Sequence, residues 1–287
     1  MWKWFILLGV LIIICIIEWL REIFSFQIIH YHIKSNKLDD LGRERKVLFL
    51  TDLHNNSYGK ENQRLLDAVR RQNPDLILIG GDMLVGLAKA STKVAEDFVM
   101  RLTKICPVYY ANGNHEQRMK LYPETYGTKY QDYKEVLVNA GVHFLENEYA
   151  DLQWDEFPVR IYGLEIPREG YKKFYKTTLS AETINHCIGP SQGDRYQILL
   201  AHNPAHMDAY LKWGADLILS GHLHGGIVRL PKLGGVITPQ FRLFPKYSGE
   251  LTVKDGKSIV VSKGLGMHTI KVRFLNSAEL IVLHMGA

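Results

Sequence analysis

The sequence predicts an α/β fold, and three observations carry the prediction. Short apolar runs recur along the chain, among them Lys46–Thr51, Asp75–Ile79, Pro107–Tyr110, Gln197–Ala201 and Asp216–Ser220, and each reads as a buried strand. Stretches with helical apolar spacing alternate with them through the first 220 residues, the strand–helix–strand order of α/β sheets. Each of those five runs is followed within a few residues by Asp, His or Asn. Ligands gather at the carboxyl ends of strands in such folds, so these polar residues are the candidates for function.

At 287 residues the chain is long for one domain but within the range of a large α/β unit. Its 46% apolar content is ample for a core. The net charge of +5 comes from scattered basic residues, without a Lys/Arg block or an aromatic platform. This argues against a nucleic-acid partner and for a weak pull on anionic substrates or lipid surfaces. Cys15, Cys106 and Cys187 lie far apart with no CxxC spacing, so neither a disulfide framework nor thiolate ligation of a metal is expected. No obligate protein partner is predicted.

Residues 1–22 read as a transmembrane anchor. Trp2 to Leu20 carries only Lys3 and Glu18 as charges. Nineteen residues at about 1.5 Å rise span roughly 28 Å, close to the ~30 Å hydrocarbon core. Trp2, Trp4 and Trp19 fall near the ends, where an aromatic belt sits. A cleaved signal peptide fits less well, because Arg21-Glu22-Ile23-Phe24 offers no small-residue cleavage site. A buried core helix also fits less well, because Phe5 to Ile17 is apolar on every face. Arg21, Lys34 and Lys37 after the span, against Lys3 before it, lean the following domain towards the cytoplasmic side of the cell membrane.

Residues 23–45 form a linker with an edge strand. There Ile29, Tyr31 and Ile33 alternate with His30, His32 and Lys34, which reads as a solvated strand face and not as a ligand pair. One domain is expected over 46–287. Its first strand runs into Asp52-Leu53-His54, and the next helical pattern starts only near Lys60, so helix capping explains Asp52 poorly. Leu65, Leu66 and Val69 give that helix its apolar face, and Asn73-Pro74 ends it. The second strand leads to Gly80-Gly81-Asp82. Val94, Phe98 and Leu102 mark a helix before the third strand, which leads to Gly113-Asn114-His115-Glu116. Tyr122 to Tyr130 is an aromatic-rich excursion placed to lie over the site. A helix around Asp132–Asn139 and strands at Val142–Leu145 and Val159–Tyr162 follow. Leu164 to Gly193 has no clear period and reads as a variable loop or cap, with His186 on its surface. Gln197–Ala201 ends at His202-Asn203-Pro204, a helix runs through Leu211, and Asp216–Ser220 leads to Gly221-His222-Leu223-His224-Gly225-Gly226. Beyond it the chain turns to short strands, ending in Ser258–Val261 and Leu280–Leu283.

The candidate site is therefore Asp52, His54, Asp82, Asn114, His115, His202, His222 and His224. Carboxylate, imidazole and one amide oxygen, without thiolate, suit manganese, iron or zinc and not calcium. Eight groups are too many for one tetrahedral ion but suit two ions sharing a bridge. Two ions about 3.5–4 Å apart are the usual clamp for phosphoester hydrolysis. A carboxylate is the natural bridge, since its charge offsets the repulsion between the cations. A structural zinc site is disfavoured, being usually closed, four-ligand and thiolate-rich.

In their order along the chain, Asp52-x-His54, Gly81-Asp82, Gly113-Asn114-His115-Glu116, His202 and Gly221-His222-x-His224 resemble the signature of the calcineurin-like metallophosphoesterase superfamily, over roughly Val47 to Leu283. The resemblance is closest to the membrane-anchored bacterial branch, through Leu200-Ala201-His202-Asn203-Pro204, Gly221–Gly226, and the tail Gly264-Leu265-Gly266 with Val272-Arg273-Phe274. Leu223 stands where that branch often has Thr, and Glu116 where it often has Asp; neither replaces a ligand. The resemblance implies a four-layer α/β sandwich, two mixed β-sheets flanked by helices, with the site at one edge and the part after Gly226 in the second sheet. It implies one metal held by Asp52, His54 and His224, a second by Asn114, His202 and His222, and Asp82 as the bridge. His115 would sit near the leaving-group oxygen as general acid or electrostatic stabiliser, with Glu116 at most orienting it. The implied cofactors are two divalent ions, manganese first, with zinc or iron accepted by the same ligands. With a bridging hydroxide they would hydrolyse a phosphoester or pyrophosphate bond.

The expected partner is a phosphate-containing small molecule or lipid. A phosphodiester or a lipid-linked pyrophosphate like that of UDP-diacylglucosamine fits a site held near the bilayer by its anchor. No substrate-binding residue is assigned, and Arg168, Lys172, Lys173 and Arg229 read as solvated surface charges. The rival expectation is a membrane-tethered metal-binding scaffold without turnover. Its mark would be loss of a ligand or of the Asn114-His115 pair, and every position is filled here.

Overall fold

In a computed structural model the chain forms two six-stranded sheets packed face to face between helices. The structure describes residues 2–171, 179–226, 229–230, 234–237, 243–267, 273 and 275–286. The basic residues Lys172 and Lys173 and the tail residues Val272 and Phe274 lie outside the described residues.

The first sheet has the order β1 (Phe26–Ile33), β14 (Ala278–Met285), β2 (Arg45–Leu50), β3 (Leu76–Ile79), β4 (Val108–Ala111), β5 (Val142–Leu145). Strands β2 to β5 are parallel, β14 is antiparallel to β2, and β1 is parallel to β14, so the part after Gly226, expected in the second sheet, instead divides, its last strand β14 entering the first. The second has the order β12 (Leu251–Lys254), β13 (Lys257–Val261), β9 (Leu217–Ser220), β8 (Tyr196–Ala201), β7 (Phe157–Leu164), β6 (Glu148–Trp154). Its inner strands are parallel and its two edge strands antiparallel. A short ribbon, β10 (Arg229–Leu230) with β11 (Gly234–Gly235), falls in the excursion between β9 and β12.

The period of two along each strand decides the layers. Val47 and Phe49 of β2 face the second sheet and pack with Ile198, Leu200, Leu217 and Leu219. Leu48 and Leu50 face the other way, onto helices α2 (Gln63–Gln72), α3 (Lys93–Leu102) and α6 (Lys129–Asn139), through Leu65, Phe98 and Tyr133. Leu199 and Ile218 of the second sheet likewise meet α7 (Ala181–Ile188) and α8 (Met207–Trp213). Inner strands buried on both faces must be apolar throughout, which is why they read as continuous runs.

Two elements escape the pattern reading. The segment after Leu164 holds helix α7, because Ser180 caps it by accepting from the Thr183 N–H, and Ile184 and Ile188, four apart, bury against the second sheet. Strand β6 is half exposed and carries Glu148, Asp151 and Gln153, the polar dress of an edge. The excursion at Tyr122 begins with α5 (Pro123–Tyr126) after α4 (Asn114–Leu121). Tyr126 donates to the Gly86 carbonyl at 3.0 Å, while Tyr130 is buried in the core. At the N-terminus, α1 (Trp2–Phe24) is the one described helix long and apolar enough to cross a membrane. At about 1.5 Å per residue its 23 residues reach about 34 Å.

Candidate metal centre

Strands β2, β3, β4, β8 and β9 all point their carboxyl ends at one edge of the sandwich, and the candidate residues sit on the loops leaving them. The loops are laced to each other by backbone. The Asp52 N–H donates to Gly81 O (2.9 Å), His54 N–H to Asp82 O (3.0 Å), and Gly221 N–H to His202 O (3.0 Å). Packing this close needs glycine, Gly113 and Gly221 among others. A Cβ on Gly113 would lie 2.2 Å from Asp82 Oδ1, and one on Gly221 would lie 2.2 Å from Asp52 Oδ2. The backbone is also turned into the left-handed region at Asp52 (φ 55°), His54 (47°), Asp82 (52°), His222 (68°) and His224 (50°). Such clusters of unfavourable φ are typical of functional sites.

The side chains converge. Asp52 Oδ1 lies 3.7 Å from His54 Nε2, 3.6 Å from His224 Nε2 and 3.8 Å from His202 Nε2. Asp82 Oδ2 lies 3.1 Å from His202 Nε2, 3.8 Å from His54 Nε2 and 3.9 Å from His115 Nε2. The compact groups able to grip an ion are Asp52/His54/His224, Asp82/His202/His222 and His54/Asp82/His115. Two donors on one tetrahedral ion with bonds of about 2.0–2.2 Å stand about 3.4 Å apart, so these separations fit a cation between them. Asn114 begins α4 beside them, and its buried Oδ1 has no hydrogen-bond partner among the described residues. A buried amide oxygen left so is costly unless something electropositive meets it. The residues present therefore fit a metal centre.

The other atoms of these groups are tied down. His202 Nδ1 is 2.7 Å from Gly80 O and donates to it, which turns Nε2 inward. Asp52 Oδ2 accepts from the Thr51 hydroxyl (2.9 Å), and the His222 N–H is shared between Oδ2 (3.0 Å) and Oδ1 (3.1 Å), the oxygen that faces the cluster. Asp82 Oδ1 accepts the His115 N–H (2.8 Å), leaving Oδ2 at the junction of both triads. His115 Nδ1 accepts the Gly86 N–H (2.7 Å), so the proton of a neutral ring sits on Nε2, the nitrogen facing Asp82.

Charge follows from the crowding. Burial pushes Asp52 and Asp82 up, but the histidines around them, His224 and His202 for Asp52, His202 and His115 for Asp82, outweigh it and hold both carboxyls below the usual range. Burial alone would lower His202; Asp82 and Asp52 override it and lift His202 to about 10. His222 and His224 are driven down to about 3, by burial first, with His202 adding to it at His222. The pocket demands positive charge; His222 and His224 are held neutral, as metal ligands must be, whereas His202 has to give up a proton to bind an ion.

Several supporting residues could not be read from sequence. Glu116, expected at most to orient His115, instead clamps the loops by accepting from Asp82 N (2.8 Å), Met83 N (2.9 Å), Gly113 N (3.1 Å) and the Tyr110 hydroxyl (2.8 Å). Burial and the neighbouring Asp82 charge push it up to about 7. Arg273 is fully buried and donates to the carbonyls of Lys263, Gly264, Gly266 and Asn276. The Gly264–Gly266 turn it holds donates in its turn to Thr51 O and Asp52 O, which gives the tail motif a physical purpose. Asn276 Nδ2 donates to His224 O (2.7 Å) and Gly226 O (2.5 Å). The Tyr171 ring stands 5.2 Å from that of His222, edge to face. Of the basic candidates, Arg229 is spent on Gly225 O, Ser248 and Glu250, whereas Arg168 reaches the site by donating to Asn114 O at 3.1 Å.

The sequence profile of the calcineurin-like phosphoesterases matches residues 45–226, which carry every candidate ligand. The chain belongs to the calcineurin-like phosphoesterase family. It is a metallophosphoesterase, a hydrolase of a family that works with divalent metals. Among curated relatives it is 29% identical over 249 residues to the metallophosphoesterase YkuE of Bacillus subtilis, covering 83% of this chain and 77% of that one. It is 27% identical over 227 residues to the phosphodiesterase YaeI of Escherichia coli, covering 77% and 75%. A transmembrane protein with a metallophosphoesterase domain from Danio rerio is 24% identical over 264 residues, covering 88% of this phosphoesterase and 56% of the fish protein.

Proposed function

We propose that this phosphoesterase cleaves a phosphodiester or a lipid-linked pyrophosphate, of the UDP-diacylglucosamine kind, at the cytoplasmic surface of the cell membrane that α1 spans. The observation that carries the reading is the single oxygen Asp82 Oδ2, shared between the His54 and His202 sides of the cluster with its partner oxygen already engaged. That is the arrangement of a bridge. Asp52, His54 and His224 would hold one divalent ion and Asn114, His202 and His222 the other. Manganese is the first choice, since oxygen and imidazole donors without thiolate suit it. Two such ions supply Lewis acidity towards the phosphate oxygens and an activated water as nucleophile.

The chain's own residues do the rest. His115 would donate a hydrogen bond from its Nε2–H to the departing oxygen and so stabilise its charge, and the Gly86 N–H on Nδ1 keeps the ring in that tautomer. Arg168, on the Asn114 carbonyl at the rim, is placed to meet a phosphate oxygen or the neighbouring group of the substrate. Glu116 keeps the β3 and β4 loops in register, so that Asp82 and His115 hold their spacing.

The test uses the full chain in detergent, purified without chelator. Bound metals are counted, then a phosphodiester, a phosphomonoester and a nucleotide-sugar pyrophosphate are assayed with manganese added. Two metals per chain, and hydrolysis of the diester or pyrophosphate lost in Asp82→Asn, is the expected result. One metal or none with manganese, zinc or iron supplied would refute the binuclear reading. Two metals without turnover on any substrate would favour the scaffold.

A further inference from the structure

We propose that the last turn of the membrane helix is built into the metal-centre edge, with Glu22 as a positioning residue, so that the centre faces the bilayer and takes phosphoesters borne in its headgroup layer. The proposal rests on the phosphoesterase reading above and adds to it where the substrate comes from.

Topology supplies the first support. Strand β14 runs antiparallel to β2 with Ile281 opposite Phe49, and β1 runs parallel to β14 with Phe26 opposite Ala278. Asp52 lies three residues beyond Phe49 and Ala278 three before Ile281, so the start of β1 stands at the height of Asp52. The helix entering β1 therefore arrives at the edge where the ligands sit, not at the opposite one.

The second support is Glu22. It is 1% exposed, in a helix whose apolar residues Ile6, Leu7, Ile13 and Ile17 are all more than half exposed. Its Oε1 accepts from the Asn276 N–H at 2.7 Å and the Ser277 hydroxyl at 3.3 Å. Asn276 also donates its side-chain amide to His224 O and Gly226 O. Two hydrogen bonds thus link the anchor to the backbone of a candidate ligand. A carboxylate at the end of an apolar span is costly to bury unless it is engaged like this.

The third support is apolar exposure around the same edge. Phe24 is 66% exposed, Leu275 46% and Leu87 58%. Leu275 precedes Asn276, and Leu87 follows Gly86, whose N–H holds His115. Side chains of this kind beside a membrane helix are buried by lying in the headgroup–acyl boundary.

The test places a fluorescent label at Leu275→Cys, with Lys104→Cys in the turn at the opposite edge as the control. Both are made in the full chain carrying Cys15→Ala, Cys106→Ala and Cys187→Ala, reconstituted in phosphatidylcholine vesicles with lipid quenchers in the upper acyl region. Quenching at 275 and none at 104 is expected. Quenching should be lost in Glu22→Ala and kept in Glu22→Gln, which retains an acceptor oxygen. Hydrogen exchange on the unlabelled chain gives the second readout, with protection of the Asn276 amide lost in Glu22→Ala alone. Equal quenching at both positions, or at neither, would overturn the orientation. Quenching and protection untouched by Glu22→Ala would remove Glu22 from the role. Because neither readout needs turnover, quenching at 275 with no lipid phosphoester cleaved would count against the substrate reading alone.

Discussion

Asn276 lies outside the matched 45–226 segment, yet it holds the His224 loop, and Asn276→Ala tests whether that matters. The side chain is 1% exposed and gives its amide to two carbonyls, those of His224 and Gly226. Alanine leaves both acceptors buried without that donor. Each buried group so stranded costs about 1–3 kcal/mol, so the pair should cost about 3 kcal/mol after some relaxation. At a urea dependence of about 3 kcal/mol per molar, that is a midpoint about 1 M lower. The backbone N–H of Asn276 still reaches Glu22, so the contact with α1 survives the change. His224 holds a left-handed φ of 50°, which the surroundings must impose, so freeing its carbonyl should let the ring drift from Asp52 and His54. Loss of such support typically weakens a metal site 10–100-fold, about the effect expected for the ion held by Asp52, His54 and His224. Chelator competition measures that ion, and urea unfolding of the metal-free chain measures the fold. An unchanged midpoint with both affinities intact would refute the reasoning, since the loop would then be held by other contacts.

Three further outcomes are expected. His115→Ala should keep both metals and lose about 10²–10³-fold in turnover, read from paired metal counts and kcat; normal turnover would remove the role of stabilising the departing oxygen. Gly113→Ala drives a methyl to 2.2 Å from Asp82 Oδ1, so it should lower stability by about 1–3 kcal/mol and lower metal stoichiometry below two, whereas full loading would mean the loops yield. His202, raised to about 10 by Asp82 and Asp52 against burial, carries its proton at pH 8 in the metal-free chain. Metal uptake at pH 8 should therefore release about one proton per chain, with affinity rising with pH, and calorimetry in buffers of different ionisation heat would show it. Uptake without proton release would contradict that assignment.

Much of this architecture is legible in the sequence because its strands are buried on both faces. Runs such as Leu76–Ile79 and Leu217–Ser220 announce themselves, and the polar residues that follow them mark one edge. What is not legible depends on contacts between distant segments. Nothing near Glu116 reveals that, besides the Gly113 N–H of its own loop, it collects two backbone N–H groups from the loop after β3, and Arg273, read only as part of the tail motif, shows its purpose once four carbonyls surround it. Residues 23–45 read as a linker with an edge strand. The strand is there, but all eight residues of β1 pair with β14 at the far end of the chain. Removing everything before Ser35 would strip an edge strand from the first sheet along with helix α1. Helix α7 was hidden because its signal, Ile184 and Ile188 on one turn-spaced face, is only two residues long.

The left-handed backbone at Asp52, His54, Asp82, His222 and His224 sets chemistry against folding. Each such residue costs about 1–3 kcal/mol, against a total domain stability of about 5–15 kcal/mol. Glycine would adopt these angles freely. A search for thermostable variants of the metal-free chain should therefore be drawn to glycine at these positions, above all at the histidines, and would return proteins that fold better and hydrolyse nothing. Selection for activity has to run against that gradient at five points at once, and bound metal, by favouring only the folded state, is what lets it do so.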